Sequence, residues 1–256
     1  SKRKGEKNMK LIDLLNKIAN NEELPKKIYF YDDLFELHQV EQYGEIYTDY
    51  KCVNEGTMLF KDEIIKITML LNEEVVVVDF GMNIGVASLF FATKEKVKAV
   101  YGYEAFPDTY QQALDNFAMN ETVINKIHPY NFAITMEEGD RDIVVSHTST
   151  ASRNIYSTDE SKTKVKLICK SAKSVLKEVA DTYPNTKLLI KCDTEGAEFD
   201  IFQSIGETDL LNRVDAIIME YHNSPETILE LLDGYGFRYW RMGQEQLGMI
   251  VAFKTH

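Results

Sequence analysis

The chain reads as an open α/β fold, a mostly parallel sheet with helices on both faces. Strands and helices alternate along it, and the strands are apolar without interruption, as strands buried on both faces are. Two closing strands then form a hairpin. Residues 75–80 (VVVVDF) make the first clear strand, stopped at Gly81, and Val86 to Lys94 follow as a small-residue helix. The unit recurs as 97–104 (VKAVYGYE) with a helix from Asp108 to Met119, and as 187–193 (KLLIKCD) with a helix from Ala197 to Ile205. A fourth unit is 214–221 (VDAIIMEY) with a helix from Pro225 to Leu232. Phe237–Met242 and Leu247–Phe253 close the chain as the hairpin, which makes one of the two antiparallel to the rest.

Other segments depart from this rhythm. Residues 127–134 (IHPYNFAI) predict one strand, with further β-rich pieces at Ile143–Ser146 and Val165–Cys169. Between those pieces, residues 147–163 are polar and rich in Ser and Thr, and are expected to form a surface excursion. His128 and His147 are assigned to surface or excursion positions. At the other end, residues 10–19 have helical periodicity, and 28–60 hold eight aromatic residues expected to pack against the sheet. The expected organisation is therefore a basic leader over 1–10, an aromatic-rich subregion over 11–62, and the α/β domain over 63–256.

Composition excludes several classes. The 256 residues carry 29 Lys and Arg against 41 Asp and Glu, a net charge of −12. Five basic residues and one acid fall in the first ten, so the body carries 24 against 40, or −16. A polyanion is repelled by such a body, so nucleic acid is not an expected partner. No apolar run reaches the roughly 18 residues of a membrane span. Cys52, Cys169 and Cys192 are odd in number and widely spaced, which suits neither a disulfide framework nor a zinc knuckle, and the expected location is the cytoplasm.

The first turn, Asp79-Phe-Gly81-Met-Asn83-Ile-Gly85, places two glycines four apart between an apolar strand and a helix. Glycine there lets a ligand approach the backbone closely. The next strand ends in Glu104, where an acid can accept hydrogen bonds from both hydroxyls of a ribose. Electrostatics separates two adenosine cofactors. A dinucleotide turn brings a third glycine and helix N–H groups to a pyrophosphate, which a carboxylate entering the turn repels. This turn lacks that glycine and carries Asp79, so it suits S-adenosylmethionine, whose ammonium and sulfonium are cationic. Two further groups close later strands: Asp193-Thr-Glu195-Gly-Ala-Glu198, and Glu220-Tyr-His222, in which period-two geometry puts Glu220 and His222 on one side. Glu198 is expected to serve the N-terminus of its helix.

The set VVVVDFGMNIG, VYGYEAFP with Asn116 and Asn120 downstream, LLIKCDTEGAE and IIMEYH resembles the FkbM family of S-adenosylmethionine-dependent methyltransferases over roughly residues 63–222. The resemblance implies a Rossmann-like class I methyltransferase fold: a mostly parallel seven-stranded sheet with the terminal antiparallel hairpin. It also implies S-adenosylhomocysteine as product, and O-methylation of a sugar hydroxyl in a glycan, lipid or natural product. By the same resemblance Asp79, Gly81 and Gly85 sit at the methionine part of the cofactor and Glu104 on its ribose. Met82, Asn83, Ala105, Phe106, Phe132 and Asp193 complete the expected cofactor-binding set. Ala105 replaces the proline common after this acid, and Ser171-Ala-Lys-Ser174 departs from the family's usual opening, so no substrate role is assigned there.

For a hydroxyl acceptor, a base must remove a proton while donor and acceptor are aligned. His222 is the candidate, with an ordinary pKa near ~6.5 and with Glu220 or Glu195 to orient it. Asp193, Glu220 and His222 gathering a divalent ion is the alternative, and no metal is expected. The rival functional readings are an NAD-dependent oxidoreductase and a catalytically silent scaffold of the same fold. The acceptor's identity, O- against N-methylation and the oligomeric state are not encoded in any readable motif.

Overall fold

The computed structural model describes residues 8–9, 29–30, 73–92, 94–145 and 163–254. The expected leader, aromatic-rich subregion and polar excursion, with His147, lie outside the described residues. The exceptions are Thr163 and two short strands, Asn8–Met9 and Tyr29–Phe30, which pair in parallel.

The main domain runs β1 (Val75–Phe80), α1 (Val86–Ala92), β2 (Val97–Tyr103), α2 (Pro107–Ala118), β3 (Ile127–Tyr130), β4 (Ala133–Thr135), β5 (Gly139–Val145) and β6 (Thr163–Ser171). It continues α3 (Ala172–Thr182), β7 (Lys187–Cys192), α4 (Glu198–Gly206), β8 (Val214–His222), α5 (Glu226–Gly234), β9 (Phe237–Gly243) and β10 (Leu247–Lys254). Seven strands form one sheet in the order β9-β10-β8-β7-β1-β2-β3. β10 is antiparallel to both β8 and β9, so it is the last strand of the hairpin that runs against the sheet.

β1 shows why the sheet is covered on both faces. All six of its residues are buried. Val76, Val78 and Phe80 pack with residues of α3, α4 and α5, whereas Val75 and Val77 pack with residues of α1 and α2. A strand with period-two side chains and a helix layer on each side has no solvent face for polar residues. Each buried valine contributes about 1.5–3 kcal/mol.

One local expectation is corrected and one element is added. Residues 127–134 are not one strand: β3 pairs with β2 at the edge of the main sheet, and β4 joins a three-stranded sheet with β6 and β5. Asn131 makes the break, its side-chain amide donating to the carbonyls of Glu104 and Ala105 at 2.8 and 3.1 Å. In addition, 171–174 opens helix α3, with the Ser171 hydroxyl accepting the Ser174 N–H at 3.2 Å. Ala172, Val175, Leu176, Val179 and Ala180 form its buried stripe, so this segment caps a core helix.

The chain leaves β1 toward β2 and β3, then returns to build β7 and β8 on β1's other side. The switch point therefore lies between the ends of β1 and β7, where open α/β sheets form their ligand crevice.

Candidate active site

Three non-glycine residues among those described have positive φ: Asn83 (53°), Glu195 (54°) and Asn223 (121°). They follow β1, β7 and β8, so backbone strain of order 1–3 kcal/mol per residue is concentrated on one rim. The surrounding packing holds it there.

The turn after β1 is stapled to its neighbours. The N–H groups of Gly81 and Met82 both donate to the Tyr103 carbonyl, at 3.1 and 2.9 Å. Gly81 and Gly85 have φ of 79° and 87°. A Cβ on Gly81 would lie 1.7 Å from the Asp193 carbonyl, so the loops after β1 and β7 touch at the switch point.

Asp79 lies beneath this turn, with no exposed surface. Its carboxylate accepts from the Ser88 hydroxyl at 2.7 Å and pairs with Lys191 at 3.1 Å, and Lys191 also donates to the Gly81 carbonyl at 2.7 Å. Asp79 and Lys191 are direct neighbours in the β1–β7 register. The acid that the sequence placed at the cofactor thus sets the turn from below. Lys191, a cation set between apolar residues of its strand and opposite an acid, is the legible signal for this pair. Met82 is also turned inward, buried and packed where a Cβ on Gly102 would lie 2.3 Å from its sulfur.

Glu104 stands at the end of β2, 7% exposed, and receives the N–H groups of Asn83 and Phe106, each at 2.9 Å. Burial pushes its carboxyl up to about 7, against the two N–H groups and Lys191, which favour the ionised form. Asn131 fixes the Glu104 and Ala105 carbonyls, a role with no signal in the sequence. Phe106 is buried beside β4 and β6. Phe132 is half-buried, stacked on Tyr130 at 5.8 Å. Tyr130 in turn stacks on Tyr103 and Tyr101, and Tyr101 stacks on His128, which the sequence left without a partner. Two closed-off oxygens on the rim receive no hydrogen bond: Oδ1 of Asn83 and Oδ1 of Asp193.

His222 ends β8 and meets two carboxylates. Its Nε2 lies 3.4 Å from Glu195 and its Nδ1 3.3 Å from Glu198. Glu198 is fully buried, and it also accepts from the Thr194 N–H and hydroxyl, each at 2.9 Å, and from the Gly196 N–H. The sequence expectation gave Glu198 only a helix-terminal role. It does open helix α4, as an acid in the first turn, and it also holds both the 194–196 turn and the imidazole. Glu220 contributes its charge to Glu195 and His222.

Burial alone would lower the pKa of His222, but the hydrogen bond and charge of Glu198, with Glu195 and Glu220, push it up to about 9. It is therefore an imidazolium at neutral pH rather than the free base expected near its ordinary pKa. Burial raises Glu195 to about 7 against the charge of His222, with Asp193, Glu220 and Glu198 adding to the rise. Asp193 is raised by burial, with Lys191 and His222 opposing. Asp193, Glu195 and His222 bring one ligand atom each to within 4.8 Å of one another. The sequence alternative named Glu220 in the place that Glu195 takes in this group.

Counted along the chain, the main-sheet strands lie in the order third, second, first, fourth, fifth, seventh, sixth, with the seventh antiparallel. With the ligand turn at the switch point, this defines a Rossmann-like methyltransferase fold. The chain belongs to the FkbM family of S-adenosylmethionine-dependent methyltransferases: the family model, Methyltransferase FkbM domain, matches residues 79–239. No curated protein matches the chain. Solved structures similar to it include a putative rRNA-methylase from Clostridium thermocellum, at 11% identity and TM-score 0.44, over 77% of this chain and 96% of that one. Another is the magnesium protoporphyrin IX methyltransferase from Synechocystis PCC 6803 with bound SAM, at 12% identity and TM-score 0.42, over 83% and 86%. A third is the precorrin-6y C5,15-methyltransferase from Geobacter metallireducens GS-15, at 11% and 0.40, over 73% and 87%.

Proposed function

We propose that this family member transfers the methyl group of S-adenosylmethionine to a hydroxyl of a sugar or sugar-containing small molecule. The observation that carries the reading is the His222 group, gathered on the same strand-end rim as the glycine turn and Glu104. The turn and its surroundings fit the cofactor's chemistry. Glu104 is a buried carboxylate able to take two hydroxyl donors, and the orphaned oxygen of Asn83 accepts from a donor-rich ligand. When bound, S-adenosylmethionine supplies a methyl group already activated by sulfonium.

The chain's own residues do the rest. Gly81 and Gly85 let the ligand lie against the backbone, Asp79 and Lys191 hold the turn's shape, and Phe132, next to the Asn131 that ties down the Glu104 carbonyl, offers an aromatic ring. The acceptor hydroxyl lies against Asp193, Glu195 and His222, with Glu220 behind them, and its proton leaves to solvent as the carbon–oxygen bond forms, since the imidazolium has no free nitrogen to take it. Glu198 keeps the imidazole in place. Among the described residues no helix is long and apolar enough to cross a membrane, and an acceptor carried on a glycan or a free small molecule is compatible with that.

The test is methyl transfer from labelled S-adenosylmethionine to a panel of sugar-containing acceptors. His222→Ala is expected to lower turnover by about 10²–10⁴-fold, while S-adenosylhomocysteine binding by calorimetry stays within about threefold of the unaltered protein. A protein that binds neither donor nor product, or an H222A variant with full turnover, defeats the reading.

The pH dependence of cofactor binding isolates Glu104. A carboxylate that titrates near pH 7 accepts ribose hydroxyls well only above that value, so affinity for S-adenosylhomocysteine should fall as pH is lowered through about 7. The limiting slope is about tenfold per unit. Glu104→Gln should flatten this profile and weaken binding at pH 8 by about tenfold or more, as charge-assisted hydrogen bonds are lost. Calorimetry at pH 6, 7 and 8 reads both.

A further inference from the structure

We infer that Asp193, Glu195 and His222 form a binding site for one first-row divalent cation, which activates the acceptor hydroxyl. Its catalytic consequence rests on the methyl-transfer reading above; the binding itself does not.

The three donors come from separate places in the fold, the end of β7, the left-handed turn that follows it and the end of β8, and converge with their ligand atoms within 4.8 Å of one another. Glu195 reaches the group only because its backbone takes a left-handed conformation that a non-glycine residue rarely adopts. That left-handed backbone falls on one of the three donors. Asp193 adds the independent observation. Its Oδ1 is closed off from solvent and accepts no hydrogen bond, although a buried carboxylate oxygen ordinarily takes a donor. A cation supplies what the protein does not.

The histidine is oriented as a ligand, and the cation displaces its Nε2 proton to solvent on binding. Its Nδ1 is held by Glu198, which is itself anchored by Thr194 and Gly196, and this leaves Nε2 on the side of Glu195. A carboxylate that orients an imidazole from behind fixes its tautomer and raises its basicity toward a metal. Two carboxylates and one imidazole are a mixed donor set that suits Mn²⁺, Fe²⁺, Co²⁺ or Zn²⁺, and the imidazole disfavours Ca²⁺ and Mg²⁺. Glu195 and His222 keep 28% and 21% side-chain exposure, so a cation held by three protein atoms retains open positions for water or an acceptor oxygen. A hydroxyl on such a cation loses its proton more readily. In the transfer the O–H bond breaks with its proton going to solvent, the carbon–oxygen bond forms, and the sulfonium becomes a neutral thioether as its methyl bond breaks. No oxidant or reductant is required.

The experiment uses the full chain, stripped with a chelator and titrated with Mn²⁺ while the free-ion paramagnetic resonance signal is followed, without cofactor or acceptor. One Mn²⁺ per chain is expected. Glu195→Gln and Asp193→Asn should each weaken it at least about tenfold, and Asp140→Asn, an exposed residue on β5, should leave it unchanged. Thermal melts confirm that the variants are folded, and Glu195→Gln, on a partly exposed side chain, retains the fold if Asp193→Asn does not. No Mn²⁺ uptake at about 1 mM, or uptake that Glu195→Gln leaves untouched, overturns the inference. S-adenosylhomocysteine binding is measured on the same stripped sample. If it persists while Mn²⁺ fails, only the cation site falls; if Mn²⁺ binds and the homocysteine does not, only the methyl-transfer reading falls. Chelator-resistant methylation by stripped protein overturns the cation's catalytic part.

Discussion

Replacing Gly81 by Ala is expected to destabilise the protein by about 2–5 kcal/mol and to abolish S-adenosylhomocysteine binding. Two terms add. Alanine in a left-handed conformation costs roughly 1–2 kcal/mol, and the backbone at this position has a φ of 79°. The new Cβ would also sit 1.7 Å from the Asp193 carbonyl oxygen, a backbone atom that cannot rotate away. Overpacking of that kind costs typically about 1–3 kcal/mol. Relief requires the loops after β1 and β7 to separate, which opens the switch point where the cofactor is proposed to lie. Gly85→Ala is a useful contrast, because its Cβ would meet the Phe117 ring at 2.4 Å, a side chain that can move. It should destabilise less and retain measurable binding. Chemical denaturation and calorimetry on the two variants read these outcomes, and a G81A protein of unaltered stability would mean that the loops are not in contact.

The second large effect falls on the buried pair beneath the turn. Lys191→Met leaves Asp79, which has no exposed surface, with the Ser88 hydroxyl but without its cation. Breaking a buried ion pair by removing one partner costs about 3–5 kcal/mol, because the remaining charge is stranded. The double variant Asp79→Asn/Lys191→Met removes the stranded charge and should recover most of that loss. The cycle therefore reports a coupling well above the few tenths of a kcal/mol expected of independent sites. Cofactor affinity should behave differently. Lys191 also ties down the Gly81 carbonyl, and that hydrogen bond is absent from both the single and the double variant. Binding is expected to remain weakened by about tenfold in each, the worth of one charge-assisted hydrogen bond. Stability that recovers while affinity does not would separate folding from turn shape.

Much of the fold was legible because its signals are local. Four valines in a row state that β1 is covered on both faces, whatever covers it, and Gly81 and Gly85 state where the chain must turn sharply. Among the described residues, the four predicted helices agree with the observed ones within about two residues at their ends. The failures arose where a side chain far along the chain decides the backbone. Residues 127–134 have one unbroken β pattern, and they divide because Asn131 caps two carbonyls on the turn after β2. Helix α3 has no counterpart among the sequence expectations, because its start is marked only by a serine whose hydroxyl caps the first turn once the chain has bent there.

The site was legible in its membership and not in its wiring. Asp79, Glu104, Asp193, Glu195, Glu220 and His222 stand at strand ends by their positions in the sequence alone, and the apolar strands before them guarantee that those ends share a rim. Which acid touches which partner depends on register and on side-chain reach. The β1–β7 register sets Asp79, an expected ligand contact, against Lys191 as its buried partner. The left-handed turn at Glu195 brings that residue, with Glu198, to His222. Neither distance is set by spacing along the chain, because the three strands that carry these residues are joined only through the sheet. The amino-acid sequence by itself determined the alternating architecture, the ligand turn and the types of residue on the rim, since these follow from periodicity and backbone chemistry. The tertiary structure alone decided the pairings, the shifted protonation of Glu104 and His222, and the convergence of three donors, since burial and through-space distance exist only once the strands lie side by side.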